Sequence, residues 1–457
     1  MNTLNVDLDL IKKYNVPGPR YTSYPPATHF TEEVKLDALR PLIVANNTGE
    51  RDLSLYFHLP FCYSLCWFCG CTTVITTKQE VSGTYLDYIQ KEITLLKQFL
   101  NPRRKVVQFH FGGGSPTFLQ PDEIRRLGAL IHSNFNVSPD VEASVEVDPR
   151  RLTRDHVTAL LETGVNRASL GVQDNDPAVQ KAVHRIQPFE MTQQVIHWLR
   201  DAGFRSLNID LIYGLPFQTA ASFEKTLHEI LTLSPDRFAV FSYAHVPWIK
   251  PHQKILKDDI LPTAETKLEL LKTTIETLTT VGYDYIGMDH FAKSNDELAV
   301  AQRQKTLQRN FQGYSTHGGA DIYAFGMSAI SQADGVYWQN EKDLPDYYRE
   351  IDAGKMPLHK GYIMTADDKL RRQTIMRLMC DLGLDYPAMS QKLGINFTDY
   401  FANELASLDD LEADGLLQRT PTGLTVTDLG RLLIRNIAVR FDAYFAQEKE
   451  RRYSRTI

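Results

Sequence analysis

Between about residues 52 and 291, short apolar runs rich in β-branched and aromatic residues alternate with longer amphipathic stretches. This alternation is typical of βα units, in which a helix connects each strand to a parallel neighbour. The predicted strands are Leu53–Leu59, Val106–Phe111, Ala143–Val147, Arg167–Val172, Leu207–Ile212 and Phe238–Tyr243, with a possible seventh at Tyr285–Met288. The predicted helices are Thr84–Leu100, Pro121–Asn134, Met191–Ala202, Ser222–Leu233 and Pro262–Val281. Six or seven such strands predict an α/β fold built on a partial parallel barrel of the (β/α)6 type.

The two ends of the chain differ from this central region. Residues 14–30 are rich in Pro, Gly and aromatic residues, which predicts an ordered but extended arm. From about residue 363 the pattern predicts helices, then a hairpin around Pro421–Gly423 and a final helix. We therefore expect an N-terminal arm over residues 1–50, a catalytic barrel over 51–362 and a helical, winged-helix-like domain over 363–457. The predicted helices of that last domain are Asp367–Leu382, Tyr386–Leu393 and Phe397–Asp414.

Four of the five cysteines lie within ten residues, at Cys62, Cys66, Cys69 and Cys71. Three thiolates on one loop can each bind one iron of a cubane cluster, and if Cys71 does not bind, the fourth iron stays open. Two alternatives remain. Structural zinc usually takes two separated pairs of ligands, and the sequence shows no second pair. Disulfides require an oxidising compartment, whereas the N-terminal sequence lacks a signal-peptide pattern, so we expect a reducing cytoplasm.

Charge and hydropathy exclude several classes of function. The net charge of -6 argues against broad contact with nucleic-acid phosphates, which requires a basic face. No segment approaches the roughly 20 apolar residues of a membrane span. We therefore expect neither a nucleic-acid partner nor a membrane partner, and an anionic substrate would need a local basic pocket.

Polar and glycine residues follow several of the predicted strands. Because ligand sites of parallel α/β folds gather at the carboxyl ends of strands, these residues are candidates for a ligand site. Glu146 and Asp148 could accept hydrogen bonds from ribose hydroxyls or an ammonium group. His58 and His110 are more simply packing residues, and Cys380 a core residue. The other strand-end residues are the glycines of Gly112–Gly114, Gln173, Asp210 and Gly214–Pro216.

Cys62, Cys66 and Cys69, the glycine run and the segment 208–216 resemble the radical S-adenosylmethionine (radical SAM) superfamily. More narrowly, Cys71, the arm segment Pro19–Pro25, the segment 309–316 and the helical C-terminal domain resemble the family of oxygen-independent coproporphyrinogen III oxidases. This resemblance covers nearly the whole chain. It implies a 4Fe-4S cluster on Cys62, Cys66 and Cys69, with S-adenosylmethionine on the open iron.

The resemblance also implies an activity. A 5'-deoxyadenosyl radical would remove hydrogen from two propionates of coproporphyrinogen III in turn, and loss of carbon dioxide and an electron would convert each to a vinyl group of protoporphyrinogen IX. The electron partners would be a reduced flavodoxin- or ferredoxin-like donor and an unidentified acceptor, and we expect a monomer. The alternative is a haem-binding chaperone of the same branch, but such relatives typically lack Cys71, the long arm and the Asn310–Tyr314 segment.

Residue roles follow from the same resemblance. It implies that Tyr56, Phe68, Gly113 and Glu146 contact the cluster-bound S-adenosylmethionine. A second S-adenosylmethionine would contact Gly114, Ser115, Gln173, Arg185, Asp210, Ala244 and Ile330. Tyr56, Cys71, Phe311 and Gln312 are the predicted catalytic residues.

Several of these roles have simpler alternatives. Phe68, Ala244 and Ile330 could instead be core residues, and Cys71 a fourth ligand, a hydrogen donor or a simple loop thiol. A tetracarboxylate substrate requires several cationic partners. Arg20, Lys305 and Arg309 are candidates for these, although solvated surface charge is the simpler interpretation of all three.

Overall fold

A computed structural model describes residues 6–16, 18–47 and 51–445. Its strands are β1 (Leu53–Leu59), β2 (Phe61–Cys62), β3 (Val74–Ile75), β4 (Lys105–Gly113), β5 (Asn136–Val147), β6 (Arg167–Gln173), β7 (Ser206–Tyr213), β8 (Arg237–Ser242), β9 (Tyr283–Gly287), β10 (His290–Lys293), β11 (Gln308–Asn310), β12 (Gly313–Ser315), β13 (Asp321–Phe325), β14 (Ile330–Ala333), β15 (Val336–Asn340), β16 (Leu358–Ile363), β17 (Gly383–Asp385), β18 (Leu417–Thr420) and β19 (Gly423–Val426).

Its helices are α1 (Leu8–Tyr14), α2 (Leu36–Asn46), α3 (Glu80–Lys97), α4 (Pro121–Asn134), α5 (Arg154–Glu162), α6 (Pro177–Ala182), α7 (Phe189–Asp201), α8 (Ala220–Leu231), α9 (Ala264–Thr280), α10 (Glu297–Arg303), α11 (Leu344–Asp352), α12 (Ala366–Asp381), α13 (Tyr386–Leu393), α14 (Phe397–Tyr400), α15 (Ala402–Ala406), α16 (Asp409–Ala413), α17 (Asp428–Leu432) and α18 (Ile434–Ala438).

The main sheet runs in the order β16-β15-β14-β13-β1-β4-β5-β6-β7-β8-β10-β9 among the described residues. Strands β1 and β4 to β8 pair in parallel, and they are the six strands that the sequence predicted. Strands β9 and β16 lie at opposite ends of the sheet order, so the barrel is partial. The predicted α/β fold is therefore confirmed.

The two flanks of the six parallel strands differ from the prediction. The possible seventh strand exists as β9, but it is antiparallel to β10, which is antiparallel to β8. Its place as a parallel barrel strand was therefore wrong, because the chain turns back at Met288, whose φ is +56°, instead of crossing over through a helix. On the other flank, β13 pairs in parallel with β1. No helical pattern leads into β13, so the alternation of strands and helices could not reveal it.

Local sequence signals set the ends of the outer helices. Helix α4 begins at Pro121. The Glu123 side chain accepts a hydrogen bond from the Gln120 N–H and so completes a capping box. The Thr153 side chain accepts a hydrogen bond from a backbone N–H of α5. A proline at the first helical position and hydroxyl caps are typical starts of helices. The helices pack their apolar residues on the sheet, which forms the large buried core.

The N-terminal arm packs on the C-terminal domain. Tyr21 and Tyr24 are fully buried in the core of that domain, and the Tyr21 hydroxyl donates to Asp442 at 2.9 Å. Thr31 forms a bridge to Gly361 of β16. The described part of the arm is therefore ordered, as expected. The predicted domain boundaries at residues 50 and 362 stay predictions, and residues 1–5, 17, 48–50 and 446–457 of the two terminal regions lie outside the described residues.

The C-terminal domain contains α12 to α18 and a sheet in the order β17-β19-β18. The hairpin predicted around Pro421–Gly423 is present as β18 and β19. The single helix predicted over 397–414 was wrong, because three short helices replace it. Phe401 and Leu408 lie at the two breaks and are fully buried, so the turns allow both side chains to enter one core. None of the described helices combines the length and the apolar character needed to cross a bilayer.

A buried carboxyl group connects α3 to the loop after β13. Glu92 accepts hydrogen bonds from the Gly326 N–H at 2.8 Å, the Asn340 amide at 2.6 Å and the Tyr347 hydroxyl at 2.6 Å. Burial nevertheless raises its pKa from 4.5 to about 7. The folded protein therefore keeps the proton over a pH range in which the unfolded chain has lost it.

This shift predicts a pH dependence of stability. Because the folded pKa is raised, the contribution of Glu92 is favourable at low pH and is lost as the pH rises from 4.5 through 7, by about 3 kcal/mol. Melting temperatures at pH 5 and pH 8 should therefore differ less in Glu92→Gln than in the wild type, whatever the absolute stability of the variant. Equal pH slopes in the two proteins would contradict this assignment.

Candidate active site

The cysteine loop begins directly after β1. Strands β2 and β3 pair in parallel and bring the two ends of the loop together. A second segment supports the loop from outside: Gln253 donates to the Phe68 carbonyl at 2.9 Å, His252 lies 2.8 Å from the Cys69 carbonyl, and Lys250 donates to the Cys71 carbonyl at 2.8 Å. The loop is therefore held in place by backbone contacts at three successive points.

The four thiols of the loop differ in environment. Cys66 is buried and Cys71 is exposed, while Cys62 and Cys69 are half-buried. Burial raises the pKa of Cys62 to about 12. A hydrogen bond from the Cys71 thiol lowers the pKa of Cys69 to about 6, and the same bond raises the pKa of Cys71. Cys69 is therefore more readily deprotonated than Cys62 or Cys71.

Two arginines approach the buried thiol. Arg150 and Arg185 place guanidinium nitrogens 3.6 Å and 3.7 Å from the Cys66 sulfur. Both also contact Asp148, at 2.6 Å and 3.3 Å. Burial acts to raise the pKa of Asp148, but Arg185 and Arg150 outweigh it and lower the pKa to about 2. Asp148 thus pairs with two arginines of the protein, whereas the sequence predicted that it accepts hydrogen bonds from ribose hydroxyls or an ammonium group.

These surroundings fit an iron–sulfur cluster. Within the described residues, no three His, Cys, Asp or Glu side chains converge closely enough to hold one metal ion. The cysteines of a cubane cluster each bind a different iron. The cationic groups beside Cys66 suit thiolate ligands, and all five cysteines are free of disulfides.

The glycine run after β4 lies against the start of the cysteine loop. The Gly113 N–H donates to Glu146 at 3.0 Å, and the Gly114 N–H donates to the Leu59 carbonyl at 2.9 Å. A Cβ atom at Gly114 would lie only 2.4 Å from the Pro60 carbonyl oxygen, and Gly113 has a φ of +117°. Glycine is therefore required at both positions for steric and conformational reasons.

A cavity of about 230 Å³ adjoins the cysteines. Asp210 projects into it from β7 and accepts hydrogen bonds from Ser169 at 2.8 Å and Asn208 at 2.7 Å. Burial raises the pKa of Asp210 to about 7. Among the predicted site residues, its lining includes Cys62, Cys66, Phe68, Cys69, Cys71, Gly113, Gly114, Glu146, Gln173, Arg185 and Asp210.

A second cavity of about 330 Å³ lies inside the barrel and shares Glu146 with the first. The ring of Tyr56 stacks on His110 with centroids 5.8 Å apart, and Gln312 donates to the Ser54 hydroxyl at 3.4 Å. Burial acts to raise the pKa of Glu146, but its contacts, chiefly with His110, lower the pKa. The predicted site residues in its lining are Tyr56, Glu146, Phe311, Gln312 and Ile330.

Two predicted site residues line neither cavity. Ser115 is buried and lies 3.3 Å from the Thr117 hydroxyl, and Ala244 is exposed on the loop after β8. Conversely, the sequence did not single out Arg150 and assigned His58 and His110 to packing, yet Arg150 lines the first cavity and both histidines line the second. The position of Arg150, two residues after Asp148 at the end of β5, was the available signal.

The surface interpretation of the basic candidates was correct only for Lys305, which is exposed. Arg309 is buried, with 6% of its surface exposed. Arg20 forms an ion pair with Asp289 inside the protein. The surface assignment failed for these two because the arm and the β11–β12 hairpin both enter the protein interior.

The partial barrel and the cysteine loop that opens into it together define an enzyme of the radical SAM class. The model of the Radical SAM superfamily matches residues 56–230, and that of the HemN C-terminal domain matches residues 364–433. The chain belongs to the family of oxygen-independent coproporphyrinogen III oxidases. Membership of this class implies a 4Fe-4S cluster and S-adenosylmethionine as cofactors.

Family membership follows from similarity along the whole chain. An oxygen-independent coproporphyrinogen III oxidase of Synechocystis is 45% identical over 100% of this chain and 99% of its own length. One of Salmonella typhimurium is 47% identical over 99% and 98%. The structure of coproporphyrinogen III oxidase (HemN) from Escherichia coli, a radical SAM enzyme, superposes with a TM-score of 0.93 at 45% identity, covering 97% of this chain and 100% of that one.

Proposed function

We propose that this protein converts coproporphyrinogen III to protoporphyrinogen IX without oxygen, by oxidative decarboxylation of two propionates to vinyl groups in haem biosynthesis. The observation that carries the proposal is the end-to-end similarity to oxidases of this name. The geometry supports it, since the cysteine-side cavity adjoins the barrel cavity at Glu146. A reactive group generated beside the cysteines would therefore lie next to the barrel cavity.

The residues of the first cavity have separable tasks in this proposal. Cys62, Cys66 and Cys69 hold the cluster and leave one iron for S-adenosylmethionine. When bound, the reduced cluster and S-adenosylmethionine would supply a 5'-deoxyadenosyl radical, which would take a hydrogen atom from a substrate propionate. Glu146, fixed by the Gly113 N–H, accepts the ribose hydroxyls, and Phe68 packs on the same cofactor.

Four residues are proposed to act nearest the substrate. Tyr56, Phe311 and Gln312 line the barrel cavity, where they position the propionate. Cys71 lies in the neighbouring cavity with its thiol directed to Cys69, and we assign it as a hydrogen donor rather than a fourth ligand.

We further propose that two molecules of S-adenosylmethionine bind. The lining of the cysteine-side cavity supports this, because it includes residues expected to contact each of the two molecules. Of the seven residues expected to hold the second molecule, the first cavity contains Gly114, Gln173, Arg185 and Asp210, and the second contains Ile330. Ser115 and Ala244 would contribute only through their loops.

The remaining partners are also proposals. We infer a flavodoxin- or ferredoxin-like donor, because a single electron must reach the cluster, and a separate acceptor for the electron that leaves with carbon dioxide. A monomer in a reducing cytoplasm is consistent with five free thiols.

The test is an anaerobic assay of the reconstituted, reduced protein with S-adenosylmethionine and coproporphyrinogen III in cell extract. We expect 5'-deoxyadenosine and vinyl-containing porphyrin to form together, with two decarboxylations per porphyrin. Retention of haem without porphyrinogen turnover, despite an intact cluster, would favour the chaperone alternative. Heat-treated protein is the control for the background of the extract.

A further inference from the structure

Among the described residues, no acidic side chain pairs with the buried guanidinium of Arg309. Arg309 lies on β11 with 6% of its surface exposed, and its Nη2 donates to the Arg20 carbonyl at a long 3.4 Å. Its Nε and Nη1 have no hydrogen-bond partner among the described residues. The group lies 4.7 Å from the centroid of the Tyr314 ring. A buried charge that lacks a partner is unfavourable, so another group is expected to complete this site.

The surroundings of Arg309 are positively charged. Arg20 pairs with Asp289, and Arg435 donates to the backbone carbonyls of Pro19 and Gly18. Burial is the main cause that lowers the pKa of Arg20 to about 10, and the positive charge of Arg309 is the second cause. The pKa of Arg435 is lowered to about 9, mainly by burial and further by the positive charges of Arg20 and Arg309.

The other groups facing the cluster do not neutralise it. Burial, then Arg309 and Arg20, lower the pKa of His290 to about 3, so His290 is neutral. Asp442 accepts from the Tyr21 hydroxyl and from backbone N–H groups. The local field therefore favours an anion next to Arg309.

The site lies beside the barrel. Arg20 keeps 38% of its side-chain surface accessible. Its guanidinium lies 6.0 Å from the ring centroid of Phe241 on barrel strand β8. Arg309 lies on the same hairpin as Phe311 and Gln312, which line the barrel cavity. The hairpin therefore connects Arg309 to the cavity, although neither arginine is among the residues that line the cavity itself.

We propose that Arg309, supported by Arg20, binds a carboxylate of the substrate inside the barrel. The inference rests on the proposed function, which supplies a tetracarboxylate. A guanidinium with two free donors matches a carboxylate through paired charge-assisted hydrogen bonds. S-adenosylmethionine carries a carboxylate too, so the experiment must distinguish the two sources.

The test compares Arg309→Met and Arg309→Lys with Lys305→Gln as the control, because Lys305 is exposed and four residues away in sequence. Binding of coproporphyrin III to the reconstituted protein is measured by fluorescence quenching, and binding of S-adenosylmethionine by equilibrium dialysis. We expect Arg309→Met to weaken coproporphyrin III binding about 10- to 100-fold. Arg309→Lys should be intermediate, and Lys305→Gln unchanged. S-adenosylmethionine binding should stay the same in all three.

Thermal unfolding separates this role from a structural one. Because Arg309→Met removes an unpartnered buried charge, its melting temperature without porphyrin should be no lower than that of the wild type. A lower melting temperature would overturn the proposal and make Arg309 a structural residue. Unchanged coproporphyrin III affinity would also overturn it, as would weaker binding of S-adenosylmethionine alone.

A neutral probe tests the carboxylate itself. The wild type should prefer coproporphyrin III over its tetramethyl ester, and Arg309→Met should lose most of this preference; an equal preference in both proteins would overturn the proposal. The proposed function fails separately if the wild type binds coproporphyrin III but does not convert coproporphyrinogen III. If the wild type binds but does not convert its substrate, weaker coproporphyrin III binding by Arg309→Met would still support the carboxylate site.

Discussion

Replacing Cys66 with serine is expected to abolish cluster binding and to reduce 5'-deoxyadenosine formation to background. Cys66 is the buried cysteine of the loop, between Arg150 and Arg185, and a serine hydroxyl does not replace a thiolate as an iron ligand in this class of cluster. Cys62→Ser and Cys69→Ser should behave alike. Iron and sulfide content and the visible absorbance of the anaerobically reconstituted protein measure the effect.

Two matched variants give this prediction its specificity. Cys71→Ser alters the same loop but should retain the iron content of the wild type, while lowering turnover. Cys380→Ser alters a thiol that is fully buried in another cluster of core residues, and it should also retain the iron. Iron loss in Cys71→Ser as large as in Cys66→Ser would make Cys71 a ligand and overturn the three-cysteine assignment.

Gly114→Ala is expected to lower turnover by at least about 100-fold, because displacement of catalytic groups by about 1 Å has effects of this size. The added Cβ would meet the Pro60 carbonyl oxygen at 2.4 Å and the Phe61 nitrogen at 3.0 Å. Both contacts are backbone, so the start of the cysteine loop must shift. The KM for S-adenosylmethionine should rise together with the loss of kcat.

Gly70→Ala is the control for this variant. Gly70 lies within the cysteine loop, but nothing lies within 4 Å of a Cβ atom placed there. Its turnover should remain close to that of the wild type. If Gly114→Ala keeps wild-type kinetics as well, the close approach of the glycine run to Pro60 has no part in holding the site.

Features carried by local sequence were predictable. The alternation of apolar runs and amphipathic stretches predicted the six parallel strands, because a buried parallel strand and a surface helix have different apolar periods. The spacing of Cys62, Cys66 and Cys69 predicted a cluster loop, because the three candidate ligands lie on one short segment. The resemblance of the whole chain then added the family and its cofactors.

Features that depend on distant segments were not predictable. β13 joins β1 from about 270 positions away in the sequence, and no helical pattern announces it. The pairing of Asp148 with Arg150 and Arg185 also depended on the fold, because strand β6 separates Arg185 from Asp148 in the chain. Such contacts carry no periodic signal.

The charge of Arg309 was visible in the sequence, but its burial was not. The sequence by itself determined the order of the six parallel strands and predicted the cluster loop, because apolar periodicity acts over a few residues. Only the tertiary structure decided which polar groups share the barrel interior. The arm and the β11–β12 hairpin bring Arg20 and Arg309 together, because a side chain's surroundings arise from segments far apart in the chain.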